Sequence, residues 1–305
     1  KIALRAVQQL RAAGELKLRV LMQIPEDSLD AAIETGLQSG LGDERLRIGG
    51  VKIFSDGALG ARTAHMLEPF EGEPANYGIA VADAAHLREV VGKASRASIA
   101  AFVHAIGDRA NREVLDAIEA SRQAGDGLSL RHRIEHVQLL HPDDVPRLAR
   151  LGVVASMQPL HATQDMLLAD ALWGKRSAGA YAWRSLLDAG TMLAFGSDSP
   201  VEDLNVIKGI HAAVTRRRAD GSPGAEGWYP EQRLTAAEAV YAYTAGAAYA
   251  SGEEAIKGTL APGKLADLVV LSQDIFAVDP MAILETDVVA TLFDGEFVYA
   301  REGAF

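Results

Sequence analysis

The chain has 305 residues, 49% hydrophobic and 23% charged, which excludes disorder and fibrous repeats and accommodates a barrel-sized domain plus a small appendage. A formal net charge of −11 argues against a binder of nucleic-acid phosphates. The absence of Cys excludes disulfides and thiolate metal sites, so any metal must sit on His, carboxylate or a modified Lys.

Residues 1–10 read as an amphipathic helix and not as a signal peptide, the whole helix running over 2–13 and ending at Gly14. No apolar run approaches the roughly 20 residues that span a bilayer. No membrane partner is therefore expected, and the default location is cytoplasmic. A chain that opens inside a helix without Met leads to the expectation that something precedes it. A strand follows at 18–24, then a helix at 29–39 and a strand at 47–54. After a polar, Gly-rich excursion (55–77) come a helix at 84–97, a strand at 99–105, a helix at 110–122 and a strand at 130–136. Asp143 and Asp144 can cap the next helix, which carries Val145, Leu148 and Leu151 on one face. Strand 153–157, helix 183–189 and strand 191–195 complete six strand–helix units. Right-handed crossovers close such units into a barrel or spread them as an open sheet, and six units with a missing beginning suit an eight-unit barrel best. Helix 235–250 would be the last of that barrel. From about Gly252 the texture changes to strands at 269–271, 288–293 and 297–299, with Asp294-Gly295 as a hairpin turn signal. The expected fold class is thus α/β, a (β/α)8 barrel with strands 3 to 8 present over residues 1–251. Residues 252–305 are expected to form the C-terminal part of a β-sandwich.

In such a barrel the chemistry sits where strands hand over to loops. The residues there are Lys52 with Asp56, His104, His136, Gln158 with His161, and Asp198. Each has a structural alternative. His104 could be a core His bonded to a carbonyl, and Asp198 could be a helix cap before Pro200. His132, Ile134 and His136 share one face by alternation, His136 at the rim and His132 deeper, with ligation at helical i,i+4 spacing as the rival. Lys52, between Val51 and Ile53, would be costly in a core without a partner such as Asp56. Its rim position favours a second role, in which burial depresses its pKa and the neutral amine captures carbon dioxide as a carbamate.

The run from Val51 to Thr63 resembles the fourth-strand motif of the YtcJ-like metal-dependent amidohydrolases. The run from His104 to Ala110 is similar to their fifth, and Glu135-His136, Gln158-Pro159-Leu160-His161-Ala162 and Gly196-Ser197-Asp198-Ser199-Pro200-Val201 to their sixth, seventh and eighth. The run from Gly258 to Leu271 resembles the segment entering the β-sandwich of many amidohydrolases. The resemblance implies a zinc centre of one or two divalent ions, with carboxylated Lys52, His104, His136 and Asp198 as ligands. Asp198, and Lys52 as the bridging carbamate, would be the catalytic groups. Asp198 would carry a proton from the metal-activated water to the leaving nitrogen of an amide or cyclic amide. Asp56, Gly57, Arg62 and His161 lie where they could touch a small-molecule substrate. Such enzymes carry a His-x-His pair on the first strand, and none of the eight His residues here are two apart. The expectation is that the pair lies upstream, or that this is a degenerate, non-catalytic or regulatory member. A metal-dependent deaminase or isomerase is the remaining alternative, because fold does not fix reaction. A homodimer is the usual expectation for a soluble enzyme.

Overall fold

Six short runs rich in β-branched and small apolar residues pair side by side in strict chain order. The structure, a computed structural model, describes residues 2–303, so Lys1, where the first expected helix begins, lies outside the described residues, as do positions 304 and 305. The strands are β1 (Val20–Pro25), β2 (Leu46–Phe54), β3 (Ala100–Ala105), β4 (Arg133–His136), β5 (Val154–Met157) and β6 (Leu193–Phe195), and every neighbouring pair is parallel. Parallel neighbours need crossover connections, and helices supply them. α1 (Ile2–Ala12) precedes β1. Then come α2 (Leu29–Glu34), α3 (Ala84–Arg96), α4 (Asp108–Gln123), α5 (Val145–Leu151), α6 (Pro159–Trp173), α7 (Trp183–Asp188) and, after β6, α8 (Val206–Thr215).

Sequential parallel order is that of a barrel wall. Among the described residues β1 and β6 each pair on one side only, so the six successive strands expected here form an open sheet, and closure into an eight-stranded barrel is not seen. Val51, Ile53, Val103 and Ile134 point from the sheet into a layer closed by Leu87 and Val91 of α3, Val114, Leu115 and Ile118 of α4, and Leu148 of α5, all buried. Each such side chain contributes about 1.5–3 kcal/mol on leaving water.

α2 stops at Glu34 and not at 39, because Gly36 turns into the left-handed region (φ 74°). The sequence pattern did not reveal α6 or α8. In α6 the exposed Leu167 and Leu168 interrupt the buried series Met166, Ala169 and Trp173, which blurs the helical period. In α8, Gly209 weakens the propensity, yet a Cβ there would stand 1.9 Å from the Tyr243 hydroxyl. The expected helix 235–250 is interrupted: α9 (Ala236–Tyr241), started by a Thr235–Glu238 capping box, passes through a π-helical turn (Ala242–Gly246) into α10 (Ala247–Ala250).

The C-terminal strands β7 (Leu268–Leu271), β8 (Val288–Phe293) and β9 (Glu296–Ala300) form a separate antiparallel sheet. Asp294 and Gly295 both have positive φ (58° and 84°), as the two-residue hairpin turn demands. Polar ties bind this sheet and its approach to the main body. The Arg19 guanidinium pairs with Asp267, and Arg131 grips Glu254 with two nitrogens (2.6 and 2.5 Å) while lying over the Tyr249 ring. His211 of α8 meets Met281 Sδ at 3.4 Å. Among the described residues no helix is long and apolar enough to cross a membrane.

Candidate metal centre

Parallel register sets which side chains share a face. Lys52 lies opposite Phe102, Phe54 opposite His104, and His104 opposite Glu135, so these residues line the inner face of the sheet. Lys52 Nζ stands 4.7 Å from the centre of the Phe54 ring, which in turn lies 5.3 Å from the His104 ring. Arg133, also inward, pairs with the buried Glu135 at 2.5 Å and stacks over Phe102.

Simple alternation would send His136 outward with His132 and Ile134. His132 does take that course, reaching Ser95 of α3 with no exposed surface. His136 does not. Its φ of 79°, followed by 46° at Val137, reverses the chain at the end of β4 and brings its ring edge-on to His104 at 4.7 Å and to within 5.8 Å of His161. Asp198, just past β6, is also left-handed (φ 56°). Such non-glycine conformations persist only where the surroundings hold them, and they gather at functional sites.

Those turns converge three donors. One ligand atom from each of His136, His161 and Asp198 lies within 4.8 Å of the others. His136 Nδ1 faces Gln158 Oε1 at 2.9 Å, and donation to that oxygen leaves Nε2 with its lone pair free. His161, in the first turn of α6, has Nδ1 3.1 Å from Glu202 Oε1 and Nε2 3.6 Å from Asp198 Oδ2. His104 is outside this trio. Its Nε2 donates to the Gly57 carbonyl at 2.8 Å, so only Nδ1 remains to it as a donor atom.

The electrostatics follow from burial and from these neighbours. Burial, and then the nearby His136, push the His104 pKa down to about 4. Burial also lowers His136, partly opposed by its bond to Gln158. Burial acts downward on His161 too, but Asp198 and Glu202 more than offset it and the net shift is upward. The contact with His161 holds Asp198 below the usual carboxylate range, against a smaller opposing effect of burial. Burial lowers Lys52, with the charge of Glu135 opposing. The centre thus combines two imidazoles biased toward the neutral form (His104 and His136), a third, His161, held toward its protonated form by two carboxylates, an ionised carboxylate and an amine biased toward its uncharged form.

Three of the residues expected to meet a substrate have partners within the protein. Asp56 is 2% exposed, and its two oxygens accept from the backbone N–H groups of Ile106 (3.0 Å), Gly107 (2.8 Å) and His65 (2.9 Å). It ties the loop after β2 to the loop after β3, and burial raises its pKa to about 7 despite those bonds. Gly57 presents its carbonyl to His104, and a Cβ on it would lie 2.0 Å from Thr63 Oγ1. Arg62 is exposed and paired with Glu73. His161, expected as a substrate contact, stands in the donor cluster. Glu202 was not singled out from sequence. Its one signal, a carboxylate four residues after Asp198, is too common to read without the fold.

The amidohydrolase family's sequence pattern matches residues 1–299. The chain belongs to the amidohydrolase family. It is 32% identical over 302 residues to the protein named "Putative amidohydrolase YtcJ" of Bacillus subtilis (strain 168), covering 98% of this chain and 56% of that protein. With the N-substituted formamide deformylase of Arthrobacter pascens it shares 28% identity, covering 85% of this chain and 47% of that enzyme. A crystal structure of an uncharacterized metal-dependent hydrolase from Pyrococcus horikoshii OT3 superimposes with a TM-score of 0.81 at 31% identity, covering 92% of this chain and 56% of that one. The chain therefore spans about half the length of these relatives.

Proposed function

We propose that this chain carries the metal-binding part of a hydrolase that opens a C–N bond, an amide or cyclic amide, with a metal-activated water. The observation that carries this reading is the convergence of His136, His161 and Asp198 at the ends of three successive strands. The donors fit a divalent metal: imidazole and carboxylate are zinc ligands, and His136 has its second nitrogen held by an acceptor, as ligating histidines do. Lys52 as a carbamate and His104 through Nδ1 are the further ligands we assign, for one or two ions in all. A bound metal of this kind supplies an activated water and polarises a carbonyl.

The protein groups then have distinct tasks. Asp198, ionised at neutral pH, takes the proton of the attacking water and passes it to the leaving nitrogen. Lys52, shifted toward its neutral form, is the amine able to capture carbon dioxide. Asp56 and Gly57 fix the loop that holds His104. The formamide deformylase among the relatives supports a C–N bond as the target.

Metal analysis of the full-length protein tests the assignment. One or two equivalents of zinc are expected, lost in His136→Ala and Asp198→Ala. A folded full-length protein without metal would overturn it.

A further inference from the structure

Glu202 lies outside every ligand set considered above, yet its geometry ties it to the centre. It follows Asp198 by four residues on the loop after β6, and its side chain is only 16% exposed. Its Oε1 meets His161 Nδ1 at 3.1 Å, while Asp198 Oδ2 stands 3.6 Å from Nε2 of the same ring. One loop therefore addresses both nitrogens of a histidine that is itself 8% exposed. Fixed in the first turn of α6, the ring can turn little without losing one of these neighbours.

We infer that Glu202 is a positioning residue: its carboxylate holds His161 as the Nδ1–H tautomer and so aims the Nε2 lone pair at the space shared with His136 and Asp198. The reason is hydrogen-bond chemistry. An ionised carboxylate only accepts, so Nδ1 must donate to it, and a neutral imidazole carries one proton. Nε2 is then left without one and becomes a donor atom for a cation. Among the described residues Glu202 is the hydrogen-bond partner at Nδ1; without it that tautomer is no longer selected, and the proton is free to sit on Nε2, where it faces Asp198 and blocks coordination. Gln158 does the same for His136 with a neutral amide. The two imidazoles of the cluster are thus each set by an acceptor on the side away from the other donors.

The inference rests on the metal centre proposed above, and two readouts keep the failures apart. In the metal-free full-length protein at pH 9, long-range 15N–1H spectra of labelled histidine report the tautomer of His161, assigned by its loss in His161→Gln. The wild type and Glu202→Gln, which keeps an acceptor oxygen, are expected as Nδ1–H, and Glu202→Ala as a mixture or as Nε2–H. In the second arm, zinc titration is expected to show Glu202→Ala weakened by roughly 10–100-fold, the usual effect of removing an acceptor behind a ligating histidine, with Glu202→Gln recovering most of that loss. Should Glu202→Ala not fold, Glu202→Ser carries the same comparison. An unchanged Nδ1–H tautomer in the alanine variant, or wild-type zinc affinity in it, overturns the role of Glu202. A wild type that binds no zinc but shows the expected tautomers overturns the metal centre and leaves the positioning role standing.

Discussion

His132 makes the acid stability of this protein calculable. The side chain has no exposed surface; its Nδ1 accepts the Ala101 N–H at 3.0 Å, and its Nε2 lies 3.4 Å from Ser95 Oγ, whose own proton goes to the Val91 carbonyl at 2.7 Å. A second ring proton would have to sit on Nδ1, directly against the Ala101 N–H. Burial, with a smaller contribution from Arg122, accordingly lowers the pKa to about 3, whereas the unfolded chain has the ordinary value of about 6.5. Below pH 6.5 the unfolded state therefore binds a proton that the folded state refuses. The stability is fully present above that value and falls by up to about 1.4 kcal/mol per pH unit until pH approaches 3. Between pH 7.5 and pH 5 the loss from this residue alone comes to about 2 kcal/mol. His104 and His211, both near 4, add slopes of their own, so the residue must be isolated by substitution. Asn can offer Oδ1 to Ala101 in place of Nδ1. His132→Asn is expected to be about 1–3 kcal/mol less stable at pH 7.5 through lost packing, but to lose about 2 kcal/mol less than wild type on going to pH 5. Urea denaturation of both proteins at the two pH values, with chelator present, measures this. Equal pH dependence in the two would refute the reasoning.

Three further outcomes test the rest of the framework. Asp56→Ala strands three backbone N–H groups and is expected to cost about 3–5 kcal/mol in denaturant stability, with Asp56→Asn costing less. A stable Asp56→Ala protein altered only in KM would refute this structural role and favour Asp56 as a substrate contact. Arg216, fully buried between Trp183 and Trp228, donates to the carbonyls of Trp228, Tyr181 and Ala180. Lys has neither the planar stack nor the fork, so Arg216→Lys is expected to lower stability by about 2–4 kcal/mol by the same assay, and a loss under 0.5 kcal/mol would count against this packing. Thr235→Ala removes half of the capping box of α9 and should cost about 1 kcal/mol, read as a lower thermal midpoint.

Much of this fold is legible in the order of residues, because successive strand–helix units repeat one local rule. Apolar runs located all six strands of the sheet, five of them handing over to a polar residue, and the strand-end positions Lys52, His104, His136, His161 and Asp198 contained all three donors that converge. The Asp294-Gly295 turn and the three C-terminal strands were likewise local signals. The remainder depends on backbone reversals and on partners distant in the chain. Alternation alone points His136 outward, and the positive φ at the end of β4 turns it into the site. The backbone amides of Ile106, Gly107 and His65 that close around Asp56 lie some nine to 51 residues away and cannot be read from its own loop. The grouping of His161 with His136 and Asp198, and the hold of Glu202 on its ring, come from three strand ends lying side by side. Sequence can name the polar residue at each strand end, but which nitrogen faces which oxygen is set by packing across the sheet.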